Sequence, residues 1–248
     1  MDGLGIKQLD YLLNKRGLDR WLNRAWLILF GLFLAAIGVI YSRPENCAFL
    51  ATDFRGYYAT AQIVLQRGFA AVYNPQLQQV YQAALPIRCL DGSLYGPALD
   101  VMVPYFPVFI LAFLPWQALT FTTSYLVWSV INLVILVVYL RFFTTQLAGR
   151  PGWLRLLQWL ACLPVLVNLI LGQINVLWVI GLGEFVRAMV AGKPGRAGLW
   201  SGLLLLKPHI LILLAPGLLA ARQWRAVLGI SASLCILVGA SWALAGVE

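Results

Sequence analysis

The sequence predicts an all-α, polytopic membrane protein with about seven spanning helices and one long extracytoplasmic loop. Composition is the first reason. The chain is 61% apolar and 11% charged, whereas soluble domains are roughly 45–50% apolar and 25% charged. Run length is the second. Apolar stretches continue for about 16–22 residues instead of alternating over about ten, which selects helices over a barrel. Charge placement is the third. The net charge of +9 sits in short basic clusters between apolar runs, a pattern that sets topology and argues against a nucleic-acid partner.

The first 25 residues read as an amphipathic cytoplasmic segment leading into a signal anchor. Their polar stretch reaches Arg24, too long for the n-region of a cleaved signal, and no A-x-A-like site ends the apolar run before Tyr41. The predicted spans are Ala25–Tyr41, Phe121–Phe143, Trp153–Leu171, Ile174–Ala191, Ala197–Leu206, Ile210–Ala221 and Ala226–Gly246. The fifth and sixth are short and meet at Lys207-Pro208. No soluble second domain, linker, repeat or low-complexity tract interrupts residues 1–248, which read as a single transmembrane domain.

Val101–Trp116 is also apolar, but it carries Pro104, Pro107 and Pro115 and is short for a span. Charge decides its assignment. If it lies in the interface, Arg141, Arg150, Arg155, Arg187, Lys193, Arg196, Arg222 and Arg225 join Lys7, Lys15, Arg16, Arg20 and Arg24 in the cytoplasm. Only Arg43, Arg55, Arg67, Arg88 and Lys207 remain on or near the other side. The positive-inside rule therefore predicts a non-spanning segment, a cytoplasmic N-terminus and an extracytoplasmic C-terminus, in the plasma membrane.

Residues 42–120 form the extracytoplasmic loop in this scheme. Phe54, Tyr57, Tyr58, Ala61, Val64 and Leu65 recur at helical spacing, with Gly68 as a stop, which predicts a helix over Phe54–Arg67. Asn74-Pro75 makes a good Ncap–N1 pair for a second helix, Gln76–Leu85, with an apolar face of Leu77, Val80, Tyr81 and Ala84. Both suit helices on the membrane surface. Cys47 and Cys89 share this loop, and a disulfide or two free thiols fit equally well. Cys162 and Cys235 fall in spans and read as packing residues. No CxxC pair or histidine cluster suggests a metal site.

Three features carry potential chemistry. Asp53 opens the first loop helix. It fits either a helix cap, favoured by the dipole, or a general base held at the water–lipid boundary. Lys207 lies inside an apolar run, where insertion costs roughly 2.5–3.5 kcal/mol, so it calls for a partner unless it snorkels from a span end. His209 either extends that polar point or is structural. The turn Gly172-Gln173-Ile174-Asn175 joins two spans on the same side as Asp53 and Lys207. Glu184 and Arg187, three apart, read as a structural pair.

An Asp-Phe follows the first span, and a helix ends at Gly68 before Val72-Tyr73-Asn74. Tyr105-Phe106-Pro107, the Gly-Gln-x-Asn turn and Lys207-Pro208 come next, ahead of Arg222-Gln223-Trp224-Arg225. In this order the set resembles glycosyltransferase family 87, the polyprenol-phosphate-mannose-dependent mannosyltransferases of the GT-C superfamily. The resemblance covers about residues 26 to 225. It implies a GT-C-like core, a sugar donor on a lipid phosphate, and an acceptor hydroxyl attacking with inversion. It implies Asp53 as the base and Lys207 and His209 as donor-phosphate ligands. Arg55, Tyr57, Gln173 and Asn175 then fall to substrate binding. The leaving group carries a single phosphate, so no metal or other cofactor is expected.

The resemblance departs in length, because family members continue with several more spans where this sequence reaches Glu248. A fragment, a minimal form and a form needing a membrane-protein partner all fit. Two other classes compete: a lipid or solute transporter, and a non-catalytic subunit. A transporter is disfavoured by the lack of an inverted repeat or a second broken span.

Overall fold

The computed structural model describes residues 24–32, 34, 35, 38, 49–88, 93–95, 106–147, 153–206 and 209–246. Lys207, Pro208, Cys47, Cys89, the start of the Val101–Trp116 segment and parts of the first predicted span lie outside these residues.

Residues 24–32 are helical. Helix α1 spans Thr52–Arg67 and stops at Gly68, whose φ of 84° favours glycine. A 3₁₀ turn, Phe69–Tyr73, leads to α2, Pro75–Ala83. Asn74 caps α2, its side chain accepting from the Leu77 N–H at 3.1 Å. Both loop helices predicted from periodicity are therefore present. A minimal antiparallel ladder, β1 (Ile87–Arg88) with β2 (Leu94–Tyr95), follows them and was not foreseen.

The outward faces of α2 differ from the expected pattern. Gln78 and Gln82 are buried, while Val80 is 64% exposed. The glutamines tolerate burial because their amides are bonded. Gln78 Nε2 donates to Thr60 Oγ1 at 2.9 Å and to the Val72 carbonyl at 2.8 Å.

Helix α3, Pro107–Ile110, runs on as a 3₁₀ segment, Leu111–Ala118, with Pro115 inside it. Together they make a rod of about 20 Å, short of the ~30 Å hydrocarbon core. Helix α4, Phe121–Leu147, buries one stripe: Phe121, Tyr125, Trp128, Asn132, Leu136 and Tyr139. Its other face leaves Leu126, Val130, Val134 and Val138 exposed. An apolar outward face on a helix this long suits lipid, not water.

The predicted span Trp153–Leu171 is broken. It forms α5, Trp153–Leu160, and α6, Leu163–Leu171. Cys162 between them is extended (φ −83°, ψ 150°), as the N-cap of α6 with Pro164 in the helix's first turn. It therefore marks the break instead of packing inside a span, and Cys235 is exposed. Then come α7, Asn175–Val190, α8, Pro194–Trp200, with a 3₁₀ extension Ser201–Leu206, α9, His209–Ala220, and α10, Trp224–Ala245. Among the described residues, α4 and α10 are long and apolar enough to cross a membrane, and both are mostly unburied. The described residues thus make a mainly helical membrane protein, with two clear apolar spans plus shorter apolar helices, and the predicted span Trp153–Leu171 is interrupted.

Glu184 and Arg187 do pair, with Arg187 Nη1 donating to Glu184 Oε1 at 2.6 Å and to Oε2 at 2.8 Å. Tyr139 OH donates to Glu184 Oε1 at 3.3 Å, so the pair also ties α7 to α4.

Candidate functional site

The site forms where the start of α1 meets the turn between α6 and α7. The chain enters α1 through Ala51, a buried residue at φ 56°, a region that costs a non-glycine residue of order 1 kcal/mol or more. Two bonds hold it there. Ala51 N–H donates to the Ile170 carbonyl at 2.8 Å, and Arg55 N–H donates to the Ala51 carbonyl at 2.7 Å. Thr52 Oγ1 adds a bond to the Phe49 carbonyl at 2.6 Å. Helix α1 therefore begins at Thr52, and Asp53 stands as the acidic residue of its first turn, partly exposed.

Phe54 anchors the other side of this joint. It packs among Phe113, Phe121, Tyr125 and Trp128 with ring centroids about 6 Å apart. Gly172 touches it. A Cβ at Gly172 would stand 2.6 Å from Phe54 Cβ, and φ there is +69°. The last carbonyls of α6 are met by α4. Tyr125 OH donates to Leu169 and Ile170 at 2.9 and 3.0 Å, and Trp128 Nε1 donates to the Gly172 carbonyl at 3.0 Å. Four elements thus fix the 172–175 turn against the residues flanking Asp53. Sequence reading missed Tyr125 and Trp128, although their helical spacing from Phe121 was a visible signal.

Within the turn, Gln173 Oε1 accepts from Asn175 Nδ2, and Asn175 N–H donates to Asn168 Oδ1 at 3.2 Å. His209 opens α9 with an exposed side chain, its ring 5.6 Å from that of Trp178 on α7. Leu206 is buried in the same apolar cluster as Phe54 and Ile174. Backbone contacts therefore set the start of α1, which carries Asp53, against the end of α6 and Gly172, with His209 beside Trp178 of α7.

Arg55 and Tyr57 are placed differently. Arg55 is fully buried, 5.6 Å from the Phe121 ring centroid, and Tyr57 stacks on Phe113 at 4.6 Å. Both sit in the core behind Asp53, and neither side chain is open to a ligand in this arrangement.

These features define a class: a helical membrane protein in which the start of a buried helix meets a polar turn between two others, beside helices too short to span. The sequence pattern of glycosyltransferase family 87 matches residues 104–248, more than half of the chain, and the protein belongs to that family. The matched part contains Gln173, Asn175, Lys207 and His209, while Asp53, Arg55 and Tyr57 precede it. No curated protein and no solved structure matches the chain.

Proposed function

We propose that this glycosyltransferase moves a sugar, mannose by the family resemblance, from a polyprenyl-phosphate donor to an extracytoplasmic acceptor hydroxyl. The acceptor oxygen attacks the anomeric carbon with inversion while its proton passes to the Asp53 carboxylate. The bond from that carbon to the phosphate oxygen breaks, and the electron pair leaves with the polyprenyl phosphate. Lys207 and His209 meet the developing charge on that phosphate. A fixed cation there acts mainly in the transition state, where it accelerates transfer.

The observation that carries the reading is the joint itself. The Ala51 to Ile170 bond and the Gly172–Phe54 contact fall on either side of Asp53 in the chain and bring the start of α1 to the turn between α6 and α7, which supports the reading. Such a joint holds a base within reach of a bound sugar. The break between α5 and α6 supplies a second discontinuity of the kind transporters use. Family membership weighs against that alternative.

The test is a transfer assay of the full chain in lipid nanodiscs with a panel of radiolabelled polyprenyl-phosphate sugars and extracted membrane glycolipids as acceptors. Label appearing in the acceptor from a polyprenyl-phosphate donor supports the reading. Transfer only from nucleotide-activated sugars, or from none of the panel, contradicts it.

A further inference from the structure

Two polar atoms near the start of α7 are buried without a hydrogen bond among the described residues: Asn175 Oδ1 and Trp178 Nε1. Buried polar groups nearly always have a partner, so each requires an explanation. Ser129 Oγ is also unbonded, but a hydroxyl on a helix can turn toward its own backbone carbonyls. The indole N–H has no such freedom, being a donor fixed in the plane of its ring. Asn175 is similarly held. Its Nδ2 is committed to Gln173 Oε1 and its backbone N–H to Asn168 Oδ1, so its carbonyl direction is set.

One fixed acceptor and one fixed donor therefore stand three residues apart, on one face of a helix. His209 borders them, with its ring 5.6 Å from Trp178 and tilted by 52°. Its side chain is exposed, so it can change rotamer on a picosecond-to-nanosecond scale.

We infer that Asn175 and Trp178 form a subsite for one hydroxyl of the transferred sugar, with Trp178 as a specificity-determining residue. The inference rests on the donor reading above. The hydroxyl donates to Asn175 Oδ1 and accepts from Trp178 Nε1. Only a group that both donates and accepts satisfies the two atoms together, as water does in the free protein and a sugar hydroxyl in its place when donor binds; a phosphate oxygen accepts only, and a methylene does neither. A site built this way rejects an analogue lacking the hydroxyl, because its own polar atoms are left bare again.

The experiment measures binding by the full chain in nanodiscs of farnesyl-phosphoryl mannose and its 2-, 3-, 4- and 6-deoxy analogues. The wild type is expected to lose roughly 10- to 100-fold in affinity for one of the four. Trp178→Phe keeps the ring and removes the donor. In that variant the parent ligand should weaken severalfold, and the discrimination should shrink to about 3- to 10-fold, because the bond to Asn175 Oδ1 remains. Equal binding of all five ligands by the wild type overturns the subsite whether or not the variant folds. Discrimination unchanged in Trp178→Phe overturns the role of Trp178. If the wild type binds none of the five, the donor reading falls and takes the subsite with it, an outcome distinct from binding without discrimination.

Discussion

At the scale of single residues, Gly172 meets two demands at once. Its φ of +69° favours glycine, and a Cβ would stand 2.6 Å from Phe54 Cβ, an atom no rotamer change can move. Gly172→Ala is therefore expected to destabilise the protein by about 1–3 kcal/mol and to shift Phe54 beside Asp53. Thermal unfolding measured alongside transfer should show activity lost out of proportion to stability. Sequence spacing alone marked this turn as polar and interesting. It did not reveal the glycine's contact, because Phe54 lies more than a hundred positions away in the chain. The same holds for Arg55 and Tyr57, which the family resemblance gave to substrate binding but whose side chains are buried against Phe121 and Phe113.

Tyr58 offers a pH test outside the spans. It is buried, its hydroxyl donates to the Leu119 carbonyl at 2.8 Å, and burial pushes its pKa above the usual 10.0. The folded state thus favours the neutral phenol. Its contribution is complete below pH 10 and is lost as pH rises through the raised folded value. Tyr58→Phe should cost about 1 kcal/mol at neutral pH and flatten the alkaline fall of the melting temperature. An identical alkaline profile in both proteins contradicts this.

At the scale of elements, α8 and α10 touch backbone to backbone. A Cβ at Gly198 would collide with the Ala226 carbonyl and stand 2.7 Å from the Cα of Gly229. Small residues permit such approach between membrane helices, where close packing replaces the hydrophobic driving force. Ser233 Oγ reinforces it by donating to the Leu199 carbonyl at 2.7 Å. Gly198→Leu should lower stability by about 1–3 kcal/mol or more. Gly217→Ala, on α9 with no atom within 4 Å of a new Cβ, should be neutral or stabilising by roughly 0.5–1 kcal/mol. Melting temperatures in detergent that fail to separate the two substitutions would refute the packing account.

Helices α1 and α2 were legible because their signals are local: Asn74-Pro75 to start one, Gly68 to stop the other. The break between α5 and α6 also had a local signal in Pro164, but the continuous apolar run from Trp153 outweighed it. The inward Gln78 had no local signal, since its partners sit on α1 and in the 3₁₀ turn, and Gln82 follows it inward by donating to Gln78 Oε1 at 3.4 Å.

At the scale of the whole molecule, the charge pattern predicts which side of the membrane each loop occupies. Residue 149 lies between α4 and α5, and the positive-inside rule puts it in the cytoplasm. A Gly149→Cys substitution should resist an impermeant thiol reagent in intact cells and react once the cells are opened. Labelling in intact cells would reverse the orientation of α4 and remove Asp53 from the extracytoplasmic side. Asp53 is also where the chemical account concentrates. Ala51, not Asp53, is the N-cap of α1, and Asp53 is its second residue. Asp53→Asn therefore keeps the side chain's shape and gives up only the charge–dipole stabilisation of the first turn, about 0.3–1 kcal/mol. It removes the base. With the full chain and a polyprenyl-phosphate mannose donor, transfer should fall by about 10²–10⁴-fold while the melting temperature stays near that of the wild type. Asp53→Asn that transfers sugar at the wild-type rate would contradict the account and leave Asp53 as a residue of the helix terminus alone.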